Sequence, residues 1–193
     1  MAPYYFRVHT PAGFEDIDNL VELKWNTMLS TPKTEQRSER HYVAIRATVS
    51  MNDIPTVLPP LIPEVRAWLK KNNIAPDGPP FFQYLKMDSN NQLLTEVGIP
   101  VKDPVKGDDR VIAGSFPAGL YATLTHTGHY MGLPEAHKTL DTWVKNSGLK
   151  EKHRVTADGI EGGTRTESYI TDPEKEPNPD KWRTDVSLLL ATV

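Results

Sequence analysis

The sequence predicts an α+β fold of two tandem βαββ halves. They are related by a pseudo-twofold axis and share an antiparallel sheet, two main helices and a central groove. Three observations carry that prediction. Stretches rich in β-branched residues fall in the order strand, helix, strand, strand, and then in the same order again. Each round contains one apolar stripe of helical period. Short segments match between rounds: "AWLKKN" (67–72) resembles "TWVKNS" (142–147), "QYLKMD" (83–88) resembles "SYITD" (168–172), and "TEVG" (95–98) resembles "TDVS" (184–187). Matches in one order within one element order point to an internal duplication.

Residues 1–30 read as an N-terminal extension or edge element, with "LVELKWNTM" a short amphipathic element. The domain proper is expected over 31–193, with halves at about 40–100 and 110–193. "STPKTEQRSER" is polar and reads as a linker or edge segment. "HYVAIRATV" is a strand. In "TVLPPLIPEVRAWLKKNN", Leu58, Leu61, Ile62, Val65 and Leu69 recur at helical spacing, with prolines in the first turns, where a helix tolerates them. "PFFQYLKMD" and "QLLTEVGIPV" form a hairpin about "SNN", and "KDPVKGDD" is a connection. "AGLYATLTHTG" opens the second half. The helix "LPEAHKTLDTWVKNSG" follows, with Leu133, Ala136, Leu140, Trp143 and Val144 on one side, His137 towards solvent and Gly148 as C-cap. "GTRTESYITDP" and "WRTDVSLLLA" are the closing strands. Trp68 and Trp143 match and read as core anchors.

Composition excludes several functions. Of 193 residues, 38% are apolar and 24% charged, as in a soluble globular protein. The net charge is −3 without a basic run, which argues against direct nucleic-acid binding. There is no cysteine, so disulfides, thiolate catalysis and cysteine-based zinc sites are excluded. No signal pattern and no apolar run of roughly 18 residues is present, so a cytoplasmic protein without a membrane partner is expected. The glycines lack phosphate-loop spacing. His126 and His129 in "HTGH" lack the spacing of a helical zinc site. No metal and no cofactor is expected.

One strand raises a chemical question. In "RTESYITDP", alternation puts Arg165, Glu167 and Tyr169 on one face. Glutamate is a poor strand residue, so a carboxylate there marks either a solvated face or a pocket needing charge. Matching Tyr84 to Tyr169 puts Phe82 at the position of Glu167. Phe82, Tyr84, Tyr169 and Glu167 then describe an aromatic-walled pocket with one acid, suited to a flat apolar or cationic ligand. Phe81, Leu85 and Met87 fall on the opposite face, as core. Tyr121 and Tyr130 flank "THTGH" and are candidates for a groove hydroxyl. Burial in the groove is expected to raise the pKa of Glu167 towards that of a base, with Arg165 opposing the rise. Glu96 and Asp185 occupy matched positions; they read as twin surface or edge residues, with a Glu167–Asp185 acid/base pair as the alternative.

The chain resembles the GyrI-like small-molecule-binding family, the effector-binding domain of AraC- and MerR-type regulators. The resemblance rests on "RHYVAIR", "TEVGIPV", "GLYATLTHTGHYMGLPEA", "TW", "ESYITDP" and "WRTDVSLLL", over about 31–193. It implies a groove for bulky hydrophobic, often cationic molecules, with Glu167 at the position of the family's groove glutamate. Two features depart from the pattern: Asp185 stands where glutamate is commoner, and the N-terminal extension does not align. The stretch before the domain is shorter than a helix-turn-helix module, which implies a stand-alone member. A stand-alone subset of the family resembles hydrolases of cyclopropane-bearing genotoxins. In that case Glu167 is the catalytic carboxylate and Tyr130 orients water or electrophile, while Glu167, Phe82, Tyr84, Tyr121 and Tyr169 contact the ligand. The alternative is a non-catalytic ligand sensor, or a module that inhibits a protein partner in transcription or at gyrase.

Overall fold

The computed structural model describes residues 28–192. The amphipathic reading of "LVELKWNTM" falls outside those residues except at Met28. Ten strands form one antiparallel sheet: β1 (Met28–Leu29), β2 (Lys33–Arg37), β3 (Arg40–Ser50), β4 (Phe81–Asp88), β5 (Gln92–Pro100), β6 (Ile112–Phe116), β7 (Gly119–Thr127), β8 (His153–Thr156), β9 (Gly159–Tyr169) and β10 (Arg183–Leu189). The helices are α1 (Ile54–Val57), α2 (Leu61–Lys71) and α3 (Leu133–Asn146). The fold is α+β, as the element pattern predicts.

The strand order is β1-β7-β10-β9-β4-β5-β3-β6, with β2 also on β7 and β8 on β9. Its centre reads β7-β10-β9 against β4-β5-β3, the same trio twice in reverse. The register shows the duplication residue by residue. Tyr84 lies opposite Thr95 and Tyr169 opposite Thr184. Val97 separates Phe82 from Ile45, as Val186 separates Glu167 from Leu124. Phe82 and Glu167 face each other across the β4–β9 seam, flanked by Phe81–Ser168 and Gln83–Thr166. The pseudo-twofold axis therefore passes through the Phe82–Glu167 pair.

The two main helices end alike. Asn73 (φ 56°) and Gly148 (φ 69°) adopt the left-handed conformation. Ile74 N–H then reaches Leu69 O, and Leu149 N–H reaches Val144 O, each at 3.0 Å. These bonds satisfy carbonyls that the last turn leaves open. The predicted first helix is split into α1 and α2 by the turn at Pro59 and Pro60.

Each helix covers the outer strands of its own half. Contacts of α2 run to β5 and β3, and those of α3 to β7 and β10. Among the described residues the central strands β4 and β9 lie between the two main helices and not under them, and this makes a groove. The main core lies under the helices and includes Val97, Leu124, Ala136, Leu140 and Val186. Trp68 and Trp143 pack half-buried against this helix-side core. On the sheet's other face Tyr42, Phe81 and Phe116 cluster, with ring centroids 4.6–5.0 Å apart.

Four strands were not expected as such: β1, β2, β6 and β8. All are short pieces at edges or hairpin ends, where tertiary pairing decides. The polar β2 is the edge segment that "STPKTEQRSER" suggested. A register shift between Tyr84 and Lys86 also corrects the alternation in β4. Beyond that bulge, Leu85 and Met87 join the groove side instead of the opposite face, while Phe81 stays opposite. A bulge inserts one residue and so inverts every later side chain.

Candidate functional site

The groove between the helices encloses about 2490 Å³. Ordinary ligand pockets hold roughly 300–1,000 Å³, so this is an open trough and not a closed cavity. Its floor is β4 and β9, with Phe82, Tyr84, Glu167 and Tyr169 projecting from it. The sequence brought these four together, and the structure does too. Phe82 and Tyr169 meet edge to face at 4.8 Å. Tyr130, in a 3-10 turn before α3, stands edge-on to Tyr169 at 5.4 Å and beside Trp182 at 4.7 Å. Burial and the charge of Asp172 push the Tyr130 phenol up to about 12.

Glu167 is buried, with 5% of its surface exposed. Its Oε2 accepts the Tyr169 hydroxyl at 2.7 Å. The Tyr84 hydroxyl faces the same carboxylate. Oε1 lies 2.7 Å from Nε2 of His137 on α3. The other ring nitrogen, Nδ1, is 3.2 Å from Nη1 of Arg165. A guanidinium only donates, so Nδ1 accepts and Nε2 carries the proton given to Glu167. Arg165 in turn is held by Asp141 at 2.6 Å and by Glu151 at 2.8 and 3.1 Å. A chain of polar contacts thus runs inward from the two partly exposed outer carboxylates through Arg165 and the buried His137 to Glu167.

These partners set the charge states. Desolvation acts to raise the pKa of Glu167, but the donors His137, Tyr169 and Tyr84 outweigh it and the pKa is lowered. The expected rise towards a base is therefore corrected: each donor stabilises the anion. Burial, and then the Glu167 charge, push the Tyr84 and Tyr169 phenols well above their ordinary value, so both stay neutral donors. Desolvation also opposes the Arg165 charge, yet Glu151 and Asp141 more than compensate and its pKa rises.

Four placements differ from the sequence reading. His137 is buried on the core face of α3, not in solvent. It lies four residues after Leu133 and three before Leu140, and so on the apolar stripe itself; that spacing was the available signal. Tyr121 is buried away from the groove. Its hydroxyl donates to Pro117 O at 2.7 Å and the Arg37 guanidinium lies 4.9 Å over its ring. By the register its counterpart is Tyr42, whose hydroxyl donates to Glu96 on the sheet's other face. Asp185 is on that face as well, accepting from Thr125 Oγ1 at 2.6 Å, so it cannot pair with Glu167. Glu96 is buried and bonded by Tyr42 and Arg46, not a surface residue.

His126 is fully buried on β7, and His129 caps the 3-10 turn, stacked on Trp182. Among the described residues no three His, Cys, Asp or Glu side chains gather as metal ligands. No helix of the described residues is long and apolar enough to cross a membrane.

Comparison with known proteins agrees with this architecture. The sequence model described as "GyrI-like small molecule binding domain" matches residues 30–191. EcmrR, solved in a complex with DNA, superposes with a TM-score of 0.63 at 20% identity over 87% of this chain, which spans 59% of that one. The EcmrR C-terminal domain alone gives 0.59 at 21% identity, over 89% of this chain and 100% of that domain. A protein from Listeria innocua described as a hydrolase gives 0.54 at 16%, over 83% of this chain and 91% of that one. SAV2435, solved with tetraphenylphosphonium, gives 0.57 at 6%, over 84% and 94%. At these identities the likeness is one of fold. No curated protein sequence matches the chain.

Proposed function

We propose, from the premise that the chain belongs to the GyrI-like small molecule binding domain family, that its groove holds a bulky hydrophobic cation against Glu167. The observation that carries this reading is an ionised carboxylate buried among aromatic rings at the centre of the groove floor. Its hydrogen bonds stabilise the charge without removing it, and a buried anion attracts an apolar cation that sheds little hydration. Phe82, Tyr84 and Tyr169 offer ring faces and edges, and Tyr130 forms a wall. Each close cation–ring contact adds roughly 0.5–2 kcal/mol. Arg165 does not spoil the site, because Asp141 and Glu151 neutralise it. The tetraphenylphosphonium bound by SAV2435 supplies a probe of this class. Such binding serves a ligand sensor whose output passes to a partner protein.

Titration calorimetry with tetraphenylphosphonium, and with neutral triphenylphosphine oxide, tests the reading. The wild type should bind the cation, and Glu167→Gln should bind it at least about tenfold more weakly. The neutral compound should bind weakly to both. Equal cation affinity in wild type and variant would remove Glu167 from the site.

A second reading is hydrolysis of a cyclopropane conjugated to a carbonyl. Water oxygen bonds to a ring carbon, the strained C–C bond breaks, and the proton ends on the carbonyl-stabilised fragment. The Tyr130 phenol on the groove wall favours it, as the group to orient the electrophile. With its pKa lowered, Glu167 would position the water more than deprotonate it. Mass spectrometry of such a substrate after incubation decides: a water adduct formed by wild type but not by Tyr130→Phe or Glu167→Gln supports turnover.

A further inference from the structure

Glu167 is charged, yet its acceptor positions are largely taken. A carboxylate offers about four lone-pair positions. His137 fills one on Oε1, Tyr169 fills one on Oε2, and Tyr84 faces the same group. Three of those positions are claimed, so a ligand ammonium can make one hydrogen bond here at most; a second would displace a buried protein donor and leave it unpaired, at a cost comparable to the bond gained.

His137 is the donor least able to yield. Its Nδ1 is pinned by Arg165, and Arg165 is pinned by Asp141 and Glu151. The ring cannot turn without breaking contacts at both nitrogens. Tyrosine hydroxyls, by contrast, rotate freely about the C–O bond. Glu167 thus faces His137 at one nitrogen and Arg165 at the other, and the Tyr84 ring stands edge-on at 6.2 Å.

We infer that His137 is a specificity-determining residue of the groove: by occupying Glu167 Oε1, it makes the site select cations without N–H donors over primary ammonium or guanidinium ligands. Arg165 is its positioning residue. The inference rests on the cation-binding reading above. Phosphonium and quaternary ammonium ions are recognised by charge and ring contact alone. A primary ammonium is strongly hydrated and needs replacement hydrogen bonds on entering an apolar site. The groove supplies the charge while leaving little of the acceptor.

The test compares two probes that share three phenyl groups, tetraphenylphosphonium and 3,3,3-triphenylpropylammonium, by calorimetry at pH 8. The ammonium stays charged there, since its ordinary pKa is about 10.4. Wild type should prefer the phosphonium. His137→Leu opens Oε1 and should shift the affinity ratio towards the ammonium by about tenfold or more, the worth of one charge-assisted hydrogen bond. His137→Gln keeps an N–H within reach of Glu167 and should retain the wild-type ratio. If His137→Leu does not fold, His137→Met takes its place. An unchanged ratio in the Leu or Met variant overturns the inference and leaves the cation site standing. A Gln variant that behaves like Leu also overturns it, because bulk and not the donor would then decide. Wild type binding neither probe overturns the cation site itself, and the inference with it.

Discussion

Replacing Arg165 with methionine tests the polar chain directly. Methionine keeps much of the apolar stem, so the change reports on the guanidinium and not on an empty volume. The loss comprises ion pairs to Asp141 at 2.6 Å and Glu151 at 2.8 Å, and the contact to His137 at 3.2 Å. Breaking a fully buried pair costs about 3–5 kcal/mol, because a charge is left uncompensated. A surface pair is worth about 0–1 kcal/mol. Here the side chains of Arg165, Asp141 and Glu151 are 20%, 41% and 21% exposed, so the cost lies between these limits. We expect about 2–3 kcal/mol, or roughly 5–10 °C in Tm for a chain of this size. Urea denaturation at pH 7 measures it. In a cycle with Glu151→Gln, the double variant should be about 1–2 kcal/mol more stable than additivity predicts, since the second change removes the orphaned charge. A loss under about 1 kcal/mol, or strict additivity, would refute the claim that Arg165 is held by these carboxylates.

Three further outcomes are expected. The folded pKa of Glu167 is lowered, so its stabilisation is full above the unfolded value of roughly 4.3 and lost as pH falls through the folded one. The melting-temperature gap between wild type and Glu167→Gln should therefore hold from pH 8 to about pH 5 and close below about pH 4; closure near pH 6–7 would mean a raised pKa instead. Tyr121→Phe removes the bond to Pro117 O, which should cost about 1 kcal/mol in urea melts and leave tetraphenylphosphonium affinity unchanged. Gly98→Ala would place a Cβ 2.5 Å from the Phe81 ring and 2.6 Å from Val43 O, both on well-packed strands. A loss of about 2 kcal/mol or more is expected by the same assay, and a neutral result would show that β3 and β4 can part there.

The elements visible in the sequence are those whose periodicity is long enough to speak for itself. Both main helices and the six strands of the two trios read correctly, and the segment matches at Tyr84/Tyr169 and Thr95/Thr184 proved to be register equivalents. Short edge strands did not read, because "KTEQR" and "IAGSF" become strands only through the neighbour they pair with. Alternation separated Tyr121 from Ala122 and Leu124 correctly, but it cannot say which of the two faces meets α3. The bulge after Tyr84 inverted Leu85 and Met87 for the same reason: period two holds only while the ladder is unbroken. His137 was hidden by its polarity, although its spacing from Leu133 and Leu140 put it on the buried stripe. The sign of the Glu167 shift was beyond reach once that donor was misplaced.

The axis through Phe82 and Glu167 has a consequence for any guest. A trough made from two copies of one unit meets itself at its centre, and there one residue, Phe82, stands against its own counterpart, Glu167. Acids at both places would compete for one proton, and aromatics at both would leave the trough electrically blank. Divergence at this pair gives the middle of the trough a charged side and a greasy side, as a battery has poles. A guest with unlike ends then has one way to lie down, where a symmetric ancestor would have offered it two of equal energy.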